Sequence, residues 1–145
     1  MRFVEITALV ATLFNFALTC FVLSRNLRST LNRVYFLWGL SMILWNVACY
    51  RLFGKINPEE AFVWAKVLQL GVIYMPVSLL HLCLLIAQIS KKRLVTFLYV
   101  LHTGFACTLP TGLFITGVKL IMVGYWSKPG PGFFFSLASY IGSTP

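Results

Sequence analysis

Residues 61–89 read AFVWAKVLQLGVIYMPVSLLHLCLLIAQI, and this stretch determines the class of fold. It is longer than the about 20 residues with which an α-helix crosses a hydrocarbon core of ~30 Å. Lys66 is its only charged residue and lies near its start, where a long side chain can extend to the membrane interface. The stretch therefore predicts a transmembrane helix. Pro76 has no backbone N–H to donate, so we expect a bend there.

Three other apolar runs are long enough to cross a bilayer and predict further helices at about 6–23, 34–53 and 94–116. The first run is longer than the apolar core of a usual signal peptide, so we interpret it as an uncleaved helix. In the fourth, Pro110 is a second expected bend point. Residues 133–141 are too few to span, and we interpret them as an incomplete fifth segment; a short interfacial tail is the alternative.

The composition indicates that lipid, rather than water, surrounds most of the chain. Hydrophobic residues make up 59% of it and charged residues 10%, whereas a soluble domain carries roughly a quarter charged residues. So few polar residues cannot cover the surface of a soluble domain. The predicted fold class is therefore all-α: a polytopic membrane helix bundle of four transmembrane helices plus an incomplete fifth. Residues 1–145 then form a single membrane domain.

The formal net charge of +9 indicates how the chain is oriented in the membrane and does not indicate nucleic-acid binding. Basic residues are densest in loops 24–33 and 91–93, and no repeat of aromatic and basic residues suited to gripping a single strand is present. Basic short loops stay on the cytoplasmic side. We therefore predict a multi-pass protein of the cell membrane with its N-terminus and residues 117–132 outside and no nucleic-acid partner. The three acidic residues then all lie outside: Glu5, Glu59 and Glu60.

Polar side chains inside the predicted helices follow helical spacing. Such groups are costly in hydrocarbon, so each needs a partner, and hydrogen bonds between helices are their commonest use. On this basis we predict interhelical polar contacts for two stripes, Thr12, Asn15 and Thr19 on the first helix and Tyr74, Ser78 and Gln88 on the third.

Two histidines form a candidate ligand pair. The loop 91–93 is so short that the third and fourth helices must be antiparallel neighbours, which places His81 and His102 each roughly 14 Å from the cytoplasmic boundary. Two imidazoles at one depth could bind haem or a metal, or relay protons. The alternative is that each donates a hydrogen bond and holds the helices together. We predict no metal site and no cofactor, with haem bound by His81 and His102 as the alternative.

Motifs of soluble enzymes are absent from the sequence. It has no glycine-rich phosphate loop, no H-E-x-x-H, no G-x-S-x-G and no Asp at all. The four cysteines have no C-x-x-C spacing and are interpreted as small hydrophobic residues. We therefore predict no catalytic residues and do not expect an enzyme.

Several stretches resemble the N-terminal seven-transmembrane region of bacterial sensor histidine kinases. Residues 32–36 (NRVYF) and 45–50 (WNVACY) are similar to its second helix. Residues 61–71 (AFVWAKVLQLG) are similar to the start of its third helix and 74–81 (YMPVSLLH) to the centre of that helix. Residues 130–134 (GPGFF) resemble the opening of its fifth helix. Together these similarities extend over most of the chain, from about residue 5 to 141.

The resemblance implies a sensory input module. That family crosses the membrane seven times and feeds a cytoplasmic PAS, kinase or cyclase output domain, whereas this chain stops after four helices and part of a fifth, so we expect a truncated form. It has no phospho-accepting histidine box and no ATP site. Expected partners are the lipid bilayer, a cytoplasmic output domain or kinase in trans, and a second copy of the chain as a homodimer. The alternatives are a small transporter or membrane-complex subunit, a haem-binding membrane protein using His81 and His102, and an inactive remnant.

Overall fold

The computed structural model describes residues 2–54, 56–111, 115–121 and 124–131. Four long helices follow one another along the chain. They are α1 (Arg2–Arg25), α2 (Thr30–Phe53), α3 (Pro58–Ile86) and α4 (Lys92–Thr108). Each of them, α4 together with the turn that follows it, is long and apolar enough to cross a membrane. The predicted membrane helix bundle is confirmed, and the chain is a multi-pass membrane protein. The predicted segment 133–141 lies outside the described residues.

The bounds of α3 are set by two local signals. Asn57 precedes the helix, and its side chain accepts a hydrogen bond of 2.8 Å from the backbone N–H of Glu60, while Pro58 occupies the first turn, where a missing N–H costs nothing. At the other end Gln88 has a φ of 58°, and the N–H of Ile89 bonds back to the carbonyl of Leu84 at 2.9 Å. This left-handed cap ends α3 at Ile86, a few residues before the predicted end.

Of the two prolines that were expected to bend helices, one lies inside a helix and the other lies just after a helix end. Pro76 lies inside α3, and the helix continues through it. Pro110 lies in a 3₁₀ turn, Leu109–Thr111, that follows α4. A proline has no backbone N–H and cannot donate a helical hydrogen bond, and α4 stops at Thr108, two residues before it. Pro110 therefore lies where α4 ends and does not bend a continuing helix.

The predicted end of the fourth helix near residue 116 is wrong, because α4 stops at Thr108. An antiparallel hairpin follows, formed by β1 (Ile115–Ile121) and β2 (Gly124–Pro129). Val118 pairs with Ser127, and the register shifts between Ile115 and Gly117. β-Branched residues recur in β1 and favour extended structure. Part of the predicted loop 117–132 is thus an ordered two-stranded element.

The helices pack in chain order, and their interfaces differ in extent. The α1–α2 and α2–α3 interfaces are extensive, whereas the α3–α4 interface is sparse. Glycines allow the close approaches, as is common between membrane helices. A Cβ on Gly71 of α3 would lie 2.7 Å from the carbonyl oxygen of Ser41 in α2. A Cβ on Gly39 of α2 would overlap the hydroxyl of Thr19 in α1.

A hydrophobic cluster joins the hairpin to the ends of α2 and α3. Its buried members are Leu52, Ala61, Ala65, Ile73, Leu109 and Ile115. Ile115 of β1 has no exposed surface. We call this the hairpin end of the bundle. The opposite end, with the connections 26–29 and 87–91, is called the basic end, since Arg25, Arg28, Lys91 and Lys92 lie there.

Candidate functional site

The interface between α3 and α4 carries polar contacts in the middle of the bundle. The hydroxyl of Tyr74 in α3 lies 3.1 Å from the hydroxyl of Thr103 in α4. Nearer the basic end, Nδ1 of His81 lies 3.4 Å from the hydroxyl of Tyr99, and their ring centroids are 5.8 Å apart in an edge-to-face arrangement. We call these two pairs the polar seam. They link two helices that otherwise share little packing.

His102 makes a hydrogen bond within its own helix. Its side chain is completely buried, and Nδ1 lies 2.6 Å from the backbone carbonyl of Leu98. A carbonyl oxygen can only accept, so Nδ1–H of His102 donates to it, which fixes the tautomer of the neutral ring. The ring also meets Phe105 edge-to-face, with centroids 5.9 Å apart. His102 thus stabilises α4 and the packing around it.

His81 and His102 lie at different depths and have different neighbours. Tyr99 is the residue of α4 opposite His81, and His102 lies three residues farther along α4, which is about 4.5 Å deeper toward the hairpin end. The cleft that His81 lines does not include His102. Among the described residues, no group of three or more His, Cys, Asp or Glu side chains is placed to hold a metal ion. Each imidazole has a hydrogen-bond partner of its own, the Tyr99 hydroxyl for His81 and the Leu98 carbonyl for His102.

Four of the six residues predicted to form interhelical polar contacts fall into two groups. Two of them meet a neighbouring helix: Tyr74 bonds across the seam, and Thr19 packs against Gly39. Two others bond within their own helix. The hydroxyl of Thr12 donates to the carbonyl of Ala8 at 2.8 Å, and that of Ser78 donates to the carbonyl of Tyr74 at 2.6 Å.

The last two predicted contact residues have other positions. Asn15 is half-buried in α1. Gln88 is exposed and lies beyond the end of α3, in the left-handed cap. Its helical spacing from His81 in the sequence therefore has no counterpart in the folded chain.

Tyr99 is a seam residue that the sequence reasoning missed. The tight connection between α3 and α4 contained the signal, because an antiparallel pair with a short connection places residues equally far from it at the same depth. Counting from loop 91–93 placed His81 level with His102 instead, because it assumed that α3 continues to residue 89. α3 ends at Ile86, and counting from the observed connection 87–91 places His81 opposite the region of Tyr99. Asn32 was also missed; its side-chain amide donates to the carbonyl of Val22 at 3.0 Å and to that of Asn26 at 3.2 Å, tying α2 to the end of α1.

At the hairpin end, Arg51 connects α2 to α3. Its guanidinium lies 5.4 Å from the centre of the Trp64 ring, and its Nη2 is 3.9 Å from Oε2 of Glu60. Both charged side chains are about half exposed, so the ion pair contributes little by itself. The cation–π contact adds an attraction that does not depend on an ideal ion-pair geometry. Arg51 therefore orients the start of α3 beneath the hairpin.

Comparison with protein-family models, with curated proteins and with solved structures gives no match for this chain. The resemblance to the membrane region of sensor histidine kinases therefore rests on the sequence motifs alone.

Proposed function

We propose that this chain is a membrane sensory module that receives a signal, similar to the front part of the seven-transmembrane region of a sensor histidine kinase. In this proposal the chain lies in the cell membrane with its N-terminus and hairpin outside and with loops 24–33 and 91–93 in the cytoplasm. It would act on a cytoplasmic output domain or kinase rather than catalyse a reaction. The motifs around Trp64, Pro76 and His81 support the family resemblance.

The observation that carries the proposal is the contrast between helix interfaces. The α2–α3 pair is extensive and close at Gly71, where backbones nearly touch. The α3–α4 pair has sparse packing and the polar seam. Transmitting a signal across a membrane requires an element with two arrangements of similar free energy. A helix held by few contacts meets that requirement better than one packed along its whole length.

The hairpin connects the outer surface to this helix. Along the chain it comes after α4 and the 3₁₀ turn Leu109–Thr111, while Ile115 is buried in a cluster with residues of α2 and α3. A ligand or partner that displaces the hairpin would therefore act on α4 while α1, α2 and α3 stay packed together. The shift would reach the basic end at Lys92, where a cytoplasmic partner would respond to it.

The proposal predicts that a change at the hairpin end alters the separation of α3 and α4 at the basic end. After replacement of the four native cysteines, spin labels are placed at Ile86 and Phe97, which are 66% and 62% exposed. Distances are measured by pulsed electron paramagnetic resonance in lipid nanodiscs. We expect two populations whose ratio changes in Ile115→Ala.

The matched control is Val100→Ala on the exposed face of α4, which removes apolar atoms without touching the hairpin. It should leave the ratio unchanged. A single narrow distance, identical in Ile115→Ala, in the control and in the parent protein, would overturn the signal-input proposal and favour a static subunit of a membrane complex.

A further inference from the structure

A cleft of about 430 Å³ opens at the basic end, between the end of α3 and the start of α4. Its wall is apolar on both helices, with Leu84 and Leu85 on α3 and Val95 on α4. Lys91 and Lys92 line its mouth. His81 is the lining residue of α3 farthest from the connection, so the cleft extends from the polar seam to the connection 87–91.

The charge at this end is unbalanced. Six basic residues belong to the connections and the helix ends around them: Arg25, Arg28, Arg33, Lys91, Lys92 and Arg93. All three acidic residues of the chain lie toward the hairpin end, Glu5 at the start of α1 and Glu59 and Glu60 at the start of α3. The counter-charge for the basic end must therefore come from outside the chain.

Backbone groups add to this positive field. α4 begins at Lys92, and no side chain caps its first turn. The same is true of α2, which begins at Thr30, another lining residue of the cleft. Neither helix has an acidic residue in its first turn. Uncapped N–H groups at a helix start attract negative charge. Both starts reinforce the basic side chains at the mouth of the cleft.

We propose that this cleft binds one anionic phospholipid, with the phosphate at Lys91, Lys92 and the first turn of α4, and an acyl chain against Leu84, Leu85 and Val95. A lipid fits better than a soluble anion, because its acyl chain can pack against the apolar wall, whereas a free phosphate ion has no apolar group to place there. The depth also agrees, since the mouth lies where both helices end and the wall lies within their membrane-spanning parts. This site does not depend on the proposed sensory function.

Occupancy would affect the seam if the proposed function is correct. His81 lines the cleft and also contacts Tyr99 across the interface. An acyl chain in the cleft would pack against α3 and α4 together and favour the arrangement in which they are close. Lipid composition would then shift the equilibrium between arrangements of α3 and α4, the same equilibrium that displacement of the hairpin would change.

Native mass spectrometry of the detergent-purified protein tests the site with dioleoyl phosphatidylglycerol as the probe. We expect one lipid to be retained, with at least about tenfold preference over dioleoyl phosphatidylcholine, because two lysines contribute near the surface. The double variant Lys91→Gln, Lys92→Gln should lose that preference. The matched control Arg25→Gln, Arg28→Gln removes the same charge at the same end but outside the cleft, and should retain it.

Each other outcome would overturn the assignment. Equal loss in the two double variants would mean a general surface attraction, and equal retention of both lipids would mean that the phosphate is not selected by charge. Displacement of the lipid by inorganic phosphate at equal concentration would mean that the site takes soluble anions. Far-UV circular dichroism of both double variants establishes that the helices remain folded, and a variant Leu85→Ser should weaken retention without changing the preference for the anionic headgroup.

Discussion

At the scale of single residues, glycine determines how closely the helices approach. Gly71 of α3 faces the backbone of α2. A Cβ added at Gly71 would lie 3.1 Å from the backbone nitrogen of Trp45 and 2.7 Å from the carbonyl oxygen of Ser41. Gly104 of α4 is also helical, but nothing lies within 4 Å of the position that its Cβ would occupy. The same residue type therefore has opposite roles at the two positions.

Substituting alanine at these glycines should change stability in opposite directions. Gly71→Ala forces α2 and α3 apart and should lower the free energy of unfolding by about 1–3 kcal/mol. Gly104→Ala adds helix propensity in open space and should raise it by about 0.5–1 kcal/mol. Reversible unfolding in mixed detergent micelles, followed by circular dichroism, measures both. Destabilisation by both substitutions would contradict the close approach at Gly71.

The polar residues show what sequence reasoning could and could not provide at this scale. Their types and spacing identified Tyr74 and Thr19 as interface residues, because long or well-placed polar groups reach across. The same reasoning failed to separate Thr12 and Ser78, whose short hydroxyls reach a carbonyl of their own helix. A hydrogen bond to a neighbouring helix and one to a carbonyl of the same helix both satisfy a hydroxyl in hydrocarbon, so spacing alone cannot distinguish the two.

At the scale of elements, helix existence was predictable and helix ends were partly so. The apolar lengths predicted all four helices, and Asn57 with Pro58 is a recognisable start signal for α3. The end of α4 was missed because the apolar stretch after Pro110 suits either a helix or a strand. Burial of Ile115 against α2 and α3 favours the strand. Because that contact joins residues far apart in the sequence, local patterns do not reveal it.

The seam is an element-scale contact whose strength can be measured by a double-mutant cycle. Tyr74→Phe and Thr103→Val each remove one hydroxyl of a pair 3.1 Å apart. Hydrogen bonds between membrane helices average about 0.6 kcal/mol, so we expect a coupling free energy of that size and not above about 1.7 kcal/mol. The cycle is measured by the same micelle unfolding. A matched cycle of Thr12→Val with Thr103→Val should be additive, since Thr12 bonds within α1.

At the scale of the whole molecule, the outer faces of the bundle expose many large apolar side chains. α1 exposes large apolar side chains over most of its length, such as Phe3, Leu13 and Phe14, and α4 exposes Phe97 and Val100. In a bilayer these faces contact lipid or further membrane helices. Composition was enough to predict insertion, because apolar length is a local property. The short loop predicted that α3 and α4 are neighbours, but the extent of each interface depends on pairwise fit and was not predictable.

Charge asymmetry predicts the orientation of the whole molecule, and single cysteines test it in a background without the native four. Leu27→Cys reports on the basic end and Glu59→Cys on the hairpin end, and both positions are exposed. Since short basic loops stay cytoplasmic, a membrane-impermeant maleimide added to intact cells should label Glu59→Cys and spare Leu27→Cys. Permeabilised cells provide the control, in which both label. Labelling of Leu27→Cys alone in intact cells would reverse the orientation, and the hairpin would then face the cytoplasm and could not receive an external signal.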